Sequence, residues 1–320
     1  MTTDSTGGDG RPSPPPASCI RGRFAPSPTG RFHLGNARTA LLSWLDIRAR
    51  GGTYVMRVED LDPQRSKKEH EAAQLADLRW LGLDWDEGPD VGGAAGPYRQ
   101  SERGERYAEA VAALSTYRCS CTRRQVREAT LAPHGAEPVY PGTCRDGPRD
   151  PTRPTGLRWS VPPGALTVED RIQLARTEDV ATAVGDFILR RADGAWAYQL
   201  AVVVDDAAMG ITDVLRGADL VGSTPRQVWL QRALRLPTPA YAHVPIAVGP
   251  DGEKLGKRDG SPDLVTLRTG GAEPARIVAA LARSCGLVPE SVTRVTPREL
   301  VADFDLGRIV ATEADRITGV

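Results

Sequence analysis

"GRFAPSPTGRFHLGNARTALLSW", Gly22 to Trp44, joins a loop rich in glycine and proline to a segment of helical spacing. Its glycines and prolines shape a tight turn, and His33-Leu34-Gly35-Asn36 stands at the mouth of a segment in which Leu41, Leu42, Trp44, Leu45 and Ile47 share one broad apolar face. That spacing predicts a helix, with Gly51 as its stop signal. "GTYVMRVEDLDP" alternates, is rich in β-formers, and reads as a strand ending in the acids Glu59, Asp60 and Asp62. Loop, helix, strand is the grammar of an α/β domain. A helix N-terminus presents unpaired N–H groups and so suits an anion, which is the functional reading of His33 and Gly35. The plainer reading is an N-cap with His33 exposed.

The chain has 320 residues, 40% of them hydrophobic, enough for one large or two moderate domains with a real core. Past Met1, the segment to Ser18 holds no large apolar residue and is expected to be a disordered tail, residues 1–18. It shows neither a signal peptide nor a membrane span, so the cytoplasm is the expected compartment. Five irregularly spaced cysteines suggest reduced thiols or a metal, not a secreted disulfide framework. Lys plus Arg equals Asp plus Glu at 41 each, so any nucleic-acid surface must be local.

"EHEAAQLADLRWLGLDWD" and "RGERYAEAVAALSTY" carry two further helix patterns. At Arg118 the texture changes to short elements crowded with Cys, Pro, Arg and Gly, which marks 118–185 as an insertion between catalytic halves at 19–117 and 186–263. "DFILRRADGAWAYQ" reads as a hairpin turning at Asp193-Gly194. "LAVVVDDAAMG" is ambiguous between buried strand and helix, and "ITDVLRGADL" reads as a strand running into a loop. Residues 264–320 are expected to be mostly helical.

The chain has four lysines against 37 arginines, and two of the four, Lys254 and Lys257, sit in "EKLGKRDG". A compact ammonium suits a phosphate whose charge shifts during reaction, whereas Arg prefers a fixed planar fork. Alone, such a loop reads as a solvated turn. Together, "RFAPSPTGRFHLGNARTALLSWL", "RVEDLDPQRS", "AYQLAVVVDDAAMGITDVLRGADL" and "EKLGKRDG" resemble the class I glutamyl-tRNA synthetases from about Arg21 to Arg258. His33-Leu34-Gly35-Asn36 stands where that family has HIGH, and Lys254 to Arg258 where it has KMSKS.

The resemblance implies a Rossmann-like α/β catalytic domain that activates glutamate with ATP and Mg2+ and transfers it to RNA. It places glutamate contacts at Arg23, Phe24, Ala25, Pro26 and Ser27, and at Glu59, Tyr198 and Arg216, with Arg216 taken as an exposed loop arginine. His33, Gly35, Asn36, Lys254 and Lys257 fall to ATP, with His33 and Lys257 as the catalytic pair. Two departures, Asn36 for the second His of HIGH and Gly256 for the Ser of KMSKS, predict altered ATP handling with the chemistry retained.

Within the insertion, Cys119, Cys121 and Cys144 offer three soft ligands, one short of a closed zinc site. From chemistry alone His134 is the leading fourth ligand, with Tyr140 and Asp146 behind it. The shorter relatives, the glutamyl-queuosine tRNA(Asp) synthetases, carry Cys-x-Cys followed by Tyr-x-x-x-Cys, so the resemblance implies Tyr140. They also lack a large anticodon-binding region, and only 62 residues follow Arg258 here. The expected substrate is therefore queuosine at the wobble position of tRNA(Asp), bound by a monomer through Arg118, Arg123, Arg124 and Arg127. The alternatives are a truncated glutamyl-tRNA synthetase charging the tRNA 3′ end and a non-catalytic RNA-binding relic of the fold.

Overall fold

The computed structural model describes residues 20–130, 139–248, 263–311 and 314–317. The expected tail, His134, Lys254 and Lys257 lie outside them. β1 (Arg21–Phe24) enters the Gly-Pro loop, α1 (Leu34–Arg48) follows, and β2 (Thr53–Met56) returns parallel to β1, with Arg21 opposite Thr53. α2 (Lys68–Trp80) and α3 (Gly104–Ala112) come next.

The middle of the chain is antiparallel. β3 (Thr116–Cys119) leads to α4 (Arg123–Thr130), then to β4 (Gly156–Trp159), β5 (Ala165–Val168), β6 (Arg176–Asp179), α5 (Val180–Ala183) and β7 (Ile188–Arg190). β3, β4 and β7 form one sheet and β5 and β6 a second, so the pairing begins at Thr116 and closes at Arg190. Beyond it, Arg190 bridges Trp196 across the turn in which Gly194 takes φ +89°.

The chain then re-enters the parallel sheet through α6 (Tyr198–Ala208), β8 (Asp213–Gly217), α7 (Thr224–Ala233) and β9 (Ala240–Val244), and continues into β10 (Ile246–Val248). Sheet order is β2-β1-β8-β9, every pairing parallel. Both faces are covered, as parallel sheets require. Tyr54 and Met56 point into a core with α1 and the C-terminal helices, while Val55 between them joins the core around α6; Leu215 and Val214 divide the same way. The ambiguous apolar run is the helix α6, buried on all sides from Leu200 to Asp206.

α8 (Leu264–Thr269), α9 (Pro274–Ser284) and α10 (Pro297–Leu300) supply the helices expected after residue 264. The segment differs from expectation at its end, where β11 (Ala314–Arg316) pairs parallel with β10, Ile246 opposite Ala314. No helix among the described residues is long and apolar enough to cross a membrane.

Candidate active site

In the four-stranded sheet, the α1 connection leads from β1 to one side and the α7 connection from β8 to the other. Ligands of open α/β sheets bind at such a reversal, outside the carboxyl ends of the strands. A cavity of about 650 Å³ lies there, between β1 and β8. Arg23, Phe24, Ala25, Pro26 and Ser27 line it, as do Glu59, Tyr198 and Arg216. His33, Gly35 and Asn36 line the same cavity. Eleven residues scattered from position 23 to 216 thus share one space.

Two of its lining residues, Arg23 and Glu59, belong to a buried charge cluster with Arg57 and Asp206. Asp206 Oδ1 accepts from Nη1 of Arg57 at 2.6 Å and from Nε of Arg23 at 3.3 Å. Arg57 also donates to Oε1 of Glu59 at 3.2 Å. Burial pushes the Glu59 carboxyl above its usual range, and the arginines Arg57 and Arg23 only partly offset it. Burial pushes Asp206 the same way, but there Arg23 and Arg57 prevail and hold its carboxyl below the usual range. An acid short of compensation at the cavity wall is suited to a ligand that brings its own cation.

Arg216 is not on an exposed loop. It lies within β8, 5% exposed, and donates to His243 Nε2 at 3.0 Å, Tyr198 Oη at 3.3 Å and Thr224 Oγ1 at 2.9 Å. The turn-like sequence "RGADL" concealed this, because the strand ends only at Gly217.

His33 is the N-cap of α1, half-buried where the plainer reading had it exposed, and it lines the cavity. Its Nδ1 accepts the Gly35 N–H at 3.2 Å, and its own N–H donates to Asn36 Oδ1 at 3.2 Å, a reciprocal capping box at the start of α1. The Gly35 amide therefore faces the imidazole, and Asn36 has a structural task in the helix cap. A Cβ at Gly35 would lie 3.1 Å from the His33 ring, so glycine is what leaves the imidazole its place. Both anchors of the lysine-bearing stretch meet this loop: Leu264 N–H donates to Phe32 O at 2.9 Å, Arg31 Nη1 donates to Asp263 Oδ2 at 3.2 Å, and Ala247 abuts Gly35.

At the end of β3 and beyond it, the sulfurs of Cys119, Cys121 and Cys144 lie within 4.8 Å of one another. The Tyr140 hydroxyl is 3.4 Å from Cys119 Sγ and 3.8 Å from Cys121 Sγ. Gly185, at φ +72°, lets the Tyr140 backbone approach to where any Cβ would collide with its carbonyl oxygen at 2.5 Å. Burial raises the Cys144 thiol, yet hydrogen bonds led by the Arg149 amide outweigh it and bring it down to about 6, whereas Cys121 is pushed up, first by burial, to about 11. Arg158 adds a cation, its Nε 3.2 Å from Cys119 Sγ and its guanidinium 3.7 Å over the Tyr140 ring. One acidified thiol, two more sulfurs and a phenol are a donor set fit for a soft divalent metal.

Residues 19–313 match the catalytic domain of the tRNA synthetases class I (E and Q). The chain belongs to that family. The glutamyl-Q tRNA(Asp) synthetase of Symbiobacterium thermophilum is 49% identical over 90% of this chain and 93% of its own length. That of Deinococcus radiodurans is 50% identical over 86% of this chain and 93% of its own. The crystal structure of a glutamate tRNA ligase from Elizabethkingia meningosepticum superposes on 94% of this chain and 67% of its own, with a TM-score of 0.80 at 27% identity. As a class I synthetase, the protein uses ATP.

Sequence reasoning missed the part of the synthetase site that holds the rest in place. Arg57, Asp206, His243 and Asp170 were not singled out, although two adjacent acids in the apolar run "LAVVVDDAAMG" are a signal in themselves. Acids almost never enter a core unpaired. Asp205, beside Asp206, is likewise paired, accepting from Arg103 Nε at 2.5 Å and Tyr107 Oη at 2.8 Å.

Proposed function

We propose that this synthetase condenses glutamate with ATP to glutamyl-adenylate and pyrophosphate, and transfers the glutamate to queuosine at the wobble position of tRNA(Asp). The observation that carries this reading is the single cavity in which Arg23, Arg216 and Glu59 stand together. A substrate with two carboxylates and one ammonium needs cations and an anion, and a helix N-terminus for the nucleotide phosphates adjoins them. The near-complete overlap with relatives named glutamyl-Q tRNA(Asp) synthetase supports the RNA half.

In this reading Arg23 and Arg216 receive glutamate carboxylates, Glu59 receives the ammonium, and Tyr198 closes the pocket beside Arg216. A carboxylate oxygen attacks the α-phosphorus of Mg2+-bound ATP and pyrophosphate leaves. His33 and the start of α1 hold the phosphates, with Gly35 and Asn36 shaping that turn. Lys254 and Lys257 serve the phosphates, and Lys257 neutralises the charge that develops on the leaving group. A hydroxyl of the queuosine cyclopentenediol then attacks the activated carbonyl, and AMP departs. Cys119, Cys121, Tyr140 and Cys144 would hold zinc, which would lend local folding energy to this segment.

A second cavity of about 810 Å³ shares Ser27, Glu59 and Tyr198 with the first and is edged by Arg65, Arg123, Arg153 and Arg191. Glu59, Asp62 and Asp193 line it as well, so RNA would approach the activated glutamate there past arginines partly balanced by acids. Partners and reaction belong in the cytoplasm. Glutamate-dependent exchange of pyrophosphate into ATP tests activation directly. Exchange with glutamate and none with glutamine or aspartate is expected; no exchange with or without tRNA would reduce the chain to an RNA-binding relic.

A further inference from the structure

One buried pair beside the cavity has no part in the reaction as drawn. Asp170, between β5 and β6, accepts from His243 Nδ1 through Oδ2 at 2.5 Å, while its Oδ1 accepts the amides of Ile172 and Gln173 at 2.9 and 2.8 Å. The carboxylate is therefore fixed by its own loop. On the far side of the ring, His243 Nε2 faces the Nε–H of Arg216 at 3.0 Å. A guanidinium has only donors, so Nε2 must offer its lone pair, and the imidazole proton sits on Nδ1 toward Asp170.

We propose that His243, held in this tautomer by Asp170, is a positioning residue that orients Arg216 for glutamate. The inference rests on the reading that Arg216 receives a glutamate carboxylate. Fixing Nε leaves Nη1 directed at Tyr198 and Nη2 at Thr224, so the guanidinium plane is set before substrate arrives. Pre-set donors lose less freedom on binding.

The arrangement has a pH consequence. The groups facing the imidazole are Asp170 from the β5–β6 segment, Arg216 from β8, Thr224 Oγ1 from α7 at 3.2 Å, and the Tyr241 ring stacked on it from β9, with Arg23 of β1 the next charge. Burial lowers the His243 pKa from its usual value, Arg216 and Arg23 add to that, and Asp170 opposes them. The ring is neutral at physiological pH. Protonation, displaced to more acid pH than for a free imidazole, would set N–H against N–H and place two cations together, turning Arg216 away.

The test is pyrophosphate exchange from pH 5 to 8 in wild type, His243→Gln, His243→Leu and Arg216→Lys, reading KM for glutamate and for ATP separately. In wild type the glutamate KM should rise in acid. His243→Gln keeps an acceptor for Arg216 and cannot titrate, so its glutamate KM should stay within about three-fold of wild type at pH 7.5 and lose the acid rise. His243→Leu should raise the glutamate KM about 10- to 100-fold at every pH with little change for ATP, the worth of one charged hydrogen bond. Retention of the wild-type acid rise in His243→Gln overturns the proposal, and so does an equal rise of both constants in a folded His243→Leu. If His243→Leu does not fold, the His243→Gln profile decides. An unchanged glutamate KM in Arg216→Lys would instead remove Arg216 from the glutamate site, a separate failure.

Discussion

Nη1 of Arg57 lies 2.6 Å from Oδ1 of Asp206, with the two side chains 0% and 5% exposed, 149 residues apart in the chain. Removing one partner of a buried pair strands the other charge, at a cost of about 3 to 5 kcal/mol. Asp206→Ala takes the carboxylate from Arg23 and leaves Arg57 with Glu59 alone, so it should destabilise within that range and abolish exchange. Urea unfolding measures it, and a loss under about 1 kcal/mol would show the pair to be dispensable. The sign with pH follows from the depressed Asp206 carboxyl. Its contribution is complete above the unfolded value near 3.9 and is lost as pH falls through the lower native value, so wild type should shed stability there faster than the variant.

Gly35→Ala separates the helix from the site. Alanine favours a helix by about 1 kcal/mol over glycine, yet its Cβ presses on the His33 ring at 3.1 Å and approaches Ala247 Cβ at 3.5 Å. The melting temperature should hold or rise slightly while the KM for ATP increases several-fold and that for glutamate does not. Equal change in both constants would deny His33 its place at the phosphates.

Metal analysis checks the insertion. One equivalent of zinc should co-purify, Cys121→Ser should lose it and loosen residues around β3 and β4, and the parallel sheet should stay assembled. Tyr140→Phe should reduce metal content, because the hydroxyl sits among the sulfurs. Full zinc in Tyr140→Phe together with loss in His134→Ala would make His134 the fourth ligand.

Where the sequence was legible, short-range chemistry made it so. The glycines and prolines before α1, the apolar face of that helix and the Cys-x-Cys pair are each contained within a few residues, and local spacing is enough to read them. The supports of the site are not local. Arg57 with Asp206 and Asp170 with His243 meet only through tertiary folding, 149 and 73 residues apart. α6 could not be told from a strand because a run buried on every side has no periodicity to show. Arg216 was misread for a related reason: its burial comes from Tyr198, Thr224 and His243 on three other elements. β11 was missed because a short strand completing a pair with β10 has no pattern of its own.

The arginines of the insertion are expected to carry phosphate contacts. Arg118, Arg123, Arg124 and Arg127 are exposed, and Arg123 edges the second cavity. Each lost phosphate contact should flatten the slope of log affinity against log salt by nearly one, so Arg123→Ala with Arg124→Ala should bind tRNA(Asp) more weakly and with a shallower slope, leaving pyrophosphate exchange intact. An unchanged slope would move the RNA surface to the C-terminal helices.

Glutamate transfer to queuosine can be measured by incubating the protein with ATP, glutamate and queuosine-containing tRNA(Asp), then digesting the tRNA and weighing its nucleosides. A glutamate ester on queuosine, absent when the tRNA lacks queuosine or when Arg216→Ala replaces wild type, is the predicted result. Glutamate recovered on the 3′ adenosine, with queuosine unmodified, would contradict it.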